Sequence, residues 1–171
     1  RVAQLLNIES LASDTGVSAT TVKEWLSILE ASYVIRLLRP YYRNFGKRFI
    51  KAPKIYFIET GLAAYLLGIR SAEQISSHPL VGSLFENMTV MEAFKQRLNR
   101  GEEGNFYFLR TNHGVEIDLA WEKNGKLDLC EIKSAYTFHD DMANNIRSIE
   151  KLIPNETGNK FIVYSGRKTT T

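Results

Sequence analysis

The stretch EIDLAWEKNGKLDLCEIK, residues 116–133, puts Glu116, Asp118, Glu131 and Lys133 where a buried hairpin should be apolar. Asn124-Gly125 is the dipeptide of a tight turn, so the stretch reads as two antiparallel strands. Side chains alternate between the faces of a strand. Glu116, Asp118 and Ala120 therefore share one face, and Val115, Ile117, Leu119 and Trp121 the other. On the partner strand Leu127, Leu129, Glu131 and Lys133 share a face, opposite Asp128, Cys130 and Ile132. If the acidic faces coincide, Asp118, Glu131 and Lys133 converge. Neighbouring carboxylates offer hard oxygen ligands to Mg²⁺ or a similar ion. A lysine beside them can orient or help deprotonate a water, while the metal stabilises charge developing on a phosphate. These are the needs of phosphodiester hydrolysis. The plainer alternative is the solvated face of an amphipathic hairpin. Glu116 reads equally well as a further ligand, a neighbour that tunes Asp118, or a surface acid. Arg110 could meet a phosphate or pair with a local acid, and His113 beside Gly114 reads as a turn residue. Cys130 alternates away from Glu131 and reads as core.

The elements that must carry this hairpin follow from the periodicity. Residues 1–32 read as three helices: one beginning at VAQLL, a second over IESLASDTG stopped at Gly16, and a third over TTVKEWLSILEAS with Ser18 as N-cap. In the third, Val22, Trp25, Leu26 and Leu29 follow the spacing of a buried face. YVIRLLRPYY and KIYFIET then read as strands flanking the basic loop RNFGKRFIKAP. Helices followed by a basic hairpin outline a winged helix-turn-helix. TGLAAYLLGI reads as a short helix and SAEQISSH as a linker. A long helix is expected from Pro79 to about Asn99, with Leu84, Phe85, Met88, Met91 and Leu98 as its apolar stripe. Glu86 falls opposite that stripe, and periodicity alone makes it solvent-exposed. Three strands, an amphipathic helix over FHDDMANNIRSIEKLI and a last strand KFIVYSG complete an α-β-β-β-α-β order. The expected division is residues 1–76 as a winged helix-turn-helix with a basic wing and residues 77–171 as a second, α/β domain.

The net charge of +3 is unevenly placed. Seven basic residues, Arg36, Arg39, Arg43, Lys47, Arg48, Lys51 and Lys54, lie between Ala31 and Ile58 without a single acid. Local positive charge interleaved with Tyr41, Tyr42, Phe45 and Phe49 is the form that attracts a polyanion. Arg43, Lys47, Arg48 and Lys51 are the expected nucleic-acid contacts; a solvated hairpin or a face for an acidic protein has the same composition. A lone cysteine makes no internal disulfide, so the expected setting is the reducing cytoplasm. No apolar run is long enough for a membrane partner. With no GxxxxGK[ST], the chain has no nucleotide-hydrolysis loop of its own.

The order of Asp118, a turn, and Glu131-Ile132-Lys133 resembles the PD-(D/E)XK nuclease fold. The resemblance implies that Asp118 and Glu131 hold Mg²⁺ or Mn²⁺, that Lys133 positions the attacking water, and that Glu86, in VGSLFENM, is a further metal ligand and catalytic group. More widely, KIYFIETGLAAYLLGI, HPLVGSLFENM, FYFLRTNHGVEIDLAW and CEIKSA resemble the C-terminal region of a large family of prokaryotic AAA+ ATPases. There an N-terminal ATPase domain precedes a winged helix and a nuclease-like domain. The likeness runs from about Leu11 to Gly166, with Glu59 where family members usually have Asp. It implies that ATP binds only in an N-terminal domain outside this sequence, and that the partners are that ATPase domain, nucleic acid and other copies of the chain.

Two readings follow. In one, a DNA-associated module carries a metal-dependent nuclease site. In the other, a catalytically inactive nucleic-acid or protein docking platform regulates or localises the ATPase. A transcription regulator using the winged helix alone is a weaker third, because it has no use for the second domain's carboxylates.

Overall fold

The computed structural model describes residues 1–41 and 49–167. Arg43, Lys47 and Arg48 lie outside these residues, and Lys51 lies within them as an exposed residue. The first expected helix is instead a short strand, β1 (Gln4–Leu5), which pairs antiparallel with β3 (Lys54–Phe57). VAQLL is too short to pay for helix nucleation, and β3 offers it an edge to pair with. Helix α1 (Ile8–Thr15) starts at Asn7, whose side chain accepts from the Ser10 N–H, and ends at Gly16 in the left-handed conformation (φ 72°). Helix α2 (Ala19–Ala31) starts at Ser18, whose hydroxyl accepts from the Thr21 N–H at 3.1 Å. Val22 and Leu26 are buried as expected, but Trp25 and Leu29 are 49% and 38% exposed. The helix packs on α1 and β2 from one side, so the apolar face reduces to the narrower Val22–Leu26 line.

Strand β2 (Ile35–Leu38) pairs antiparallel with β3, giving a three-stranded sheet ordered β1-β3-β2. Helix α3 (Thr60–Leu66) follows. SAEQISSH is not a linker: it forms α4 (Ala72–Ser77), stabilised by a capping box of Ser71 and Gln74. Helix α5 (Val81–Asn99) buries Leu84, Asn87, Val90, Met91 and Phe94. Its buried face is rotated from the expected stripe, and Met88 and Leu98 are exposed. The rotation follows from packing on two partners, the second sheet and the β3–α3 corner.

The second sheet is ordered β4-β5-β6-β7. It comprises β4 (Tyr107–Arg110), β5 (Glu116–Lys123), β6 (Lys126–Lys133) and β7 (Thr157–Tyr164). The first three are antiparallel; β7 joins β6 in parallel after the crossover helix α6 (Asn144–Leu152). Asn124 and Gly125 both have positive φ (52° and 74°), as a tight hairpin turn requires. The architecture is therefore mixed α+β. One core cluster unites Leu38, Tyr56, Ala63 and Ile69 with Leu84, Met91, Phe94, Leu119 and Ile132, so both sheets and α5 share a core. The sheets are also stitched through the backbone. The Tyr41 N–H donates to Phe108 O at 2.8 Å, and the Ile50 N–H donates to Arg110 O at 2.8 Å. The flanks of the basic loop thus run along β4 and do not project freely.

Candidate functional site: a buried carboxylate–lysine centre

The alternation expected for β5 holds for Glu116 and Asp118 and fails just beyond them, at the edge of the site. Tyr107 faces Ala120 and Leu109 faces Ile117, so Asp118 and Leu119 together stand opposite Phe108. This is a β-bulge, which re-aims a side chain at the cost of one ladder position. As a result Ile117 packs in the core against α6, while Leu119 packs against α5. The two do not share a common face. Asp118 spans the break, its Oδ2 accepting from the Ile132 N–H at 2.8 Å.

Beyond the bulge, among the described residues, Glu86, Glu116 and Asp118 bring ligand oxygens within 4.8 Å of one another. Glu86 is largely buried, not solvent-exposed, because β3 covers it. The Tyr56 hydroxyl donates to Glu86 Oε1 at 2.6 Å and Lys54 Nζ donates to the same oxygen at 2.5 Å. Asn87 fixes the register of this contact. Its Oδ1 accepts from the Phe57 N–H at 2.8 Å, and its Nδ2 donates to Phe57 O at 2.9 Å and to Thr60 Oγ1 at 2.8 Å. It acts as a one-residue bridge between α5 and the end of β3.

Lys54 is the group that sequence reasoning placed elsewhere. Counted there as one of the basic-loop cations, it is 2% exposed. Its ammonium lies 2.5 Å from Glu86, 2.6 Å from Glu116 Oε1 and 4.0 Å from Asp118 Oδ1. The one available signal was its place in KIYFIE: at the head of a strand whose other residues are apolar, a lysine must be paired if buried. Arg36 also leaves the basic surface, stacking over the Phe94 ring at 4.2 Å. Arg110 pairs with the other oxygen of Glu116 at 2.5 Å.

Glu131 and Lys133 form the adjoining half of the site. Glu131 is 1% exposed and is not one of the three clustered carboxylates. Its Oε1 accepts from Lys133 Nζ at 2.5 Å and from Asn145 Nδ2 at 2.8 Å, the latter reaching in from the first turn of α6. Its Oε2 is buried without a hydrogen-bond partner among the described residues. Lys133 remains partly exposed and within electrostatic reach of Asp118 and Glu86. Cys130 is buried, and burial pushes its thiol up to about 12, in keeping with a core residue. A cavity of about 360 Å³ between α5 and the second sheet, lined by Ala93, Arg97, Trp121, Cys130 and Phe161 among others, contains none of these ionisable carboxylates.

Burial dominates the electrostatics. It raises Glu86 to about 7 against the opposing pull of Lys54, with Asp118 adding to the rise. Burial and then Asp118 raise Glu131 to about 7, although Lys133 opposes. Asp118 is raised too, chiefly by burial. Burial lowers Lys54, but Glu86, Glu116 and Asp118 outweigh it and hold the ammonium above its ordinary value. Lys133 is likewise raised, the hydrogen bond and charge of Glu131 overcoming burial. It therefore stays protonated at neutral pH, which suits it to orienting a water or meeting a phosphate and not to removing a proton. The donor set of three carboxylates fits a hard divalent cation such as Mg²⁺ or Mn²⁺.

The comparisons with known proteins follow the two sheets. Residues 1–73 match a domain of unknown function, DUF8612, and residues 81–171 match another, DUF4143. The chain is similar to the uncharacterized proteins Rv2008c of Mycobacterium tuberculosis and Mb2031c of Mycobacterium bovis. Each is 32% identical over 163 residues, which cover 95% of this chain and 35% of the relative. The chain thus spans about a third of the length of the curated relatives it matches. No solved structure matches it, and no helix among the described residues is long and apolar enough to cross a membrane. With its matched region extending over more than half of its length, the chain belongs to the DUF4143 domain family.

Proposed function

We propose that the chain is the DNA-associated module of an AAA+ ATPase, a winged helix (residues 1–76) joined to a PD-(D/E)XK-like domain (residues 77–171). Its carboxylate centre takes a divalent metal for phosphodiester hydrolysis. The observation that carries this reading is the convergence of Glu86, Glu116 and Asp118 beside Glu131 and Lys133. Glu86, Glu116 and Asp118 would hold Mg²⁺ or Mn²⁺. When bound, such an ion polarises a phosphoryl oxygen and stabilises its developing charge. Lys133, protonated and partly exposed, orients the attacking water or the phosphate. Glu131, poised at about 7 with an Oε2 that no described residue bonds, accepts a proton from that water. Arg43, Lys47, Arg48 and Lys51 contact the nucleic-acid backbone.

The second reading, a non-catalytic docking platform, is favoured by the ion pairs within the site. Lys54 already binds Glu86 and Glu116 and lies 4.0 Å from Asp118, and Lys133 is bound to Glu131. One assay separates the readings: cleavage of end-labelled DNA with Mn²⁺ by the wild type, Asp118→Asn and Lys133→Ala. The nuclease reading predicts cleavage that both variants lose by at least about 100-fold. DNA binding without cleavage in the wild type leaves the platform. In the same binding assay, Lys47→Ala/Arg48→Ala should lower the salt slope by about 2, and an unchanged slope removes the wing from the interface.

A further inference from the structure

The Lys54 ammonium occupies a built site. Three carboxylates from α5 and β5 surround it, two within 2.6 Å and the third at 4.0 Å. The Tyr56 and Phe108 rings lie 5.8 and 5.9 Å from Nζ and supply further negative faces. The lysine cannot withdraw by backbone motion without breaking a sheet, because Lys54 pairs with Leu5 on one side and Leu38 on the other. Only its side chain can move. A divalent ion coordinated by the same oxygens would stand within a few ångströms of the ammonium, in a site largely shielded from water, where like charges repel most strongly.

Resting on the metal-centre reading, we infer that Lys54 is a tethered counter-cation that competes with the divalent metal for Glu86, Glu116 and Asp118. The centre is then closed to metal until the lysine side chain swings out. The lysine regulates occupancy and takes no part in the chemistry.

The test is calorimetric titration of the folded chain with MnCl₂, comparing wild type, Lys54→Met and Lys54→Met/Asp118→Asn. Competition predicts that Lys54→Met binds Mn²⁺ at least about ten-fold more tightly than wild type, and that adding Asp118→Asn abolishes the gain. Equal affinity in wild type and Lys54→Met, lost on adding Asp118→Asn, overturns the competition and leaves the metal centre standing. No binding in any folded variant overturns both. Amine acetylation of the wild type, read by mass spectrometry, tests the same point without a variant. Lys54 should be protected in metal-free protein and become reactive as Mn²⁺ saturates the centre. Protection unchanged at saturation overturns the inference.

Discussion

At the scale of single residues, the centre stores protons. Glu86 and Glu131 both sit at about 7 in the folded chain, against an ordinary 4.5. The fold therefore favours their protonated forms, and it takes up protons as it forms. Their contribution to stability is full below the ordinary carboxylate range and is lost as pH rises through 7. Melting temperature should fall between about pH 5 and pH 8, and Glu131→Gln should flatten part of that fall. A profile that does not decline over this range, or one that Glu131→Gln leaves untouched, contradicts the assignment. The residues that carry the chemistry were legible unevenly. Asp118, Glu131 and Lys133 stand out because charge interrupts strongly apolar strands. Glu86 does not, because helical periodicity places it outside the apolar stripe; only the cover provided by Lys54 and Tyr56 makes it internal. Lys54 was hidden by its neighbours, since a cation near six others in sequence reads as surface charge.

At the scale of elements, two local devices set the geometry. Alternation alone puts Glu116 and Asp118 on one face of β5; the β-bulge at Asp118–Leu119 then sends Leu119 to the α5 side and Ala120 to the side of Ile117, an inserted residue that a strict period-two reading cannot foresee. Asn87 then locks α5 to β3 through the peptide of Phe57. Asn87→Ala leaves the partly buried N–H and C=O of Phe57 without their Asn87 partner, and we predict a loss of about 2 kcal/mol in urea unfolding. Asn99→Ala, exposed at the end of the same helix, should stay within about 0.5 kcal/mol. Equal effects would mean that Asn87 does not hold the contact. Gly16, Ser18 and Asn124-Gly125 were the most legible features, because they act through their own backbone neighbours. The short strand Gln4–Leu5 was not, since its only reason to be a strand is the edge of β3, fifty residues later in the chain.

At the scale of the molecule, one core cluster holds residues from both sides of residue 76. Tyr56 and Leu38 from one side are packed with Met91 and Phe94 from the other, and Lys54 crosses the same boundary to reach the carboxylates. The shared core predicts that fluorescence and circular dichroism report one coincident urea transition for the whole chain. Two separated transitions would show that the halves are energetically independent, and Lys54 would then be a removable contact. This coupling is invisible to local patterning, which sees a basic hairpin and an acidic hairpin but not their meeting.

The nuclease reading stands on Glu86, Glu116 and Asp118 holding a divalent cation. The most direct measurement is anomalous X-ray scattering from crystals grown with millimolar MnCl₂. A metal centre here gives an anomalous peak ligated by these three carboxylates, with the Lys54 ammonium moved out from between them. Crystals with no peak there and with Lys54 still bridging Glu86 and Glu116 would contradict it.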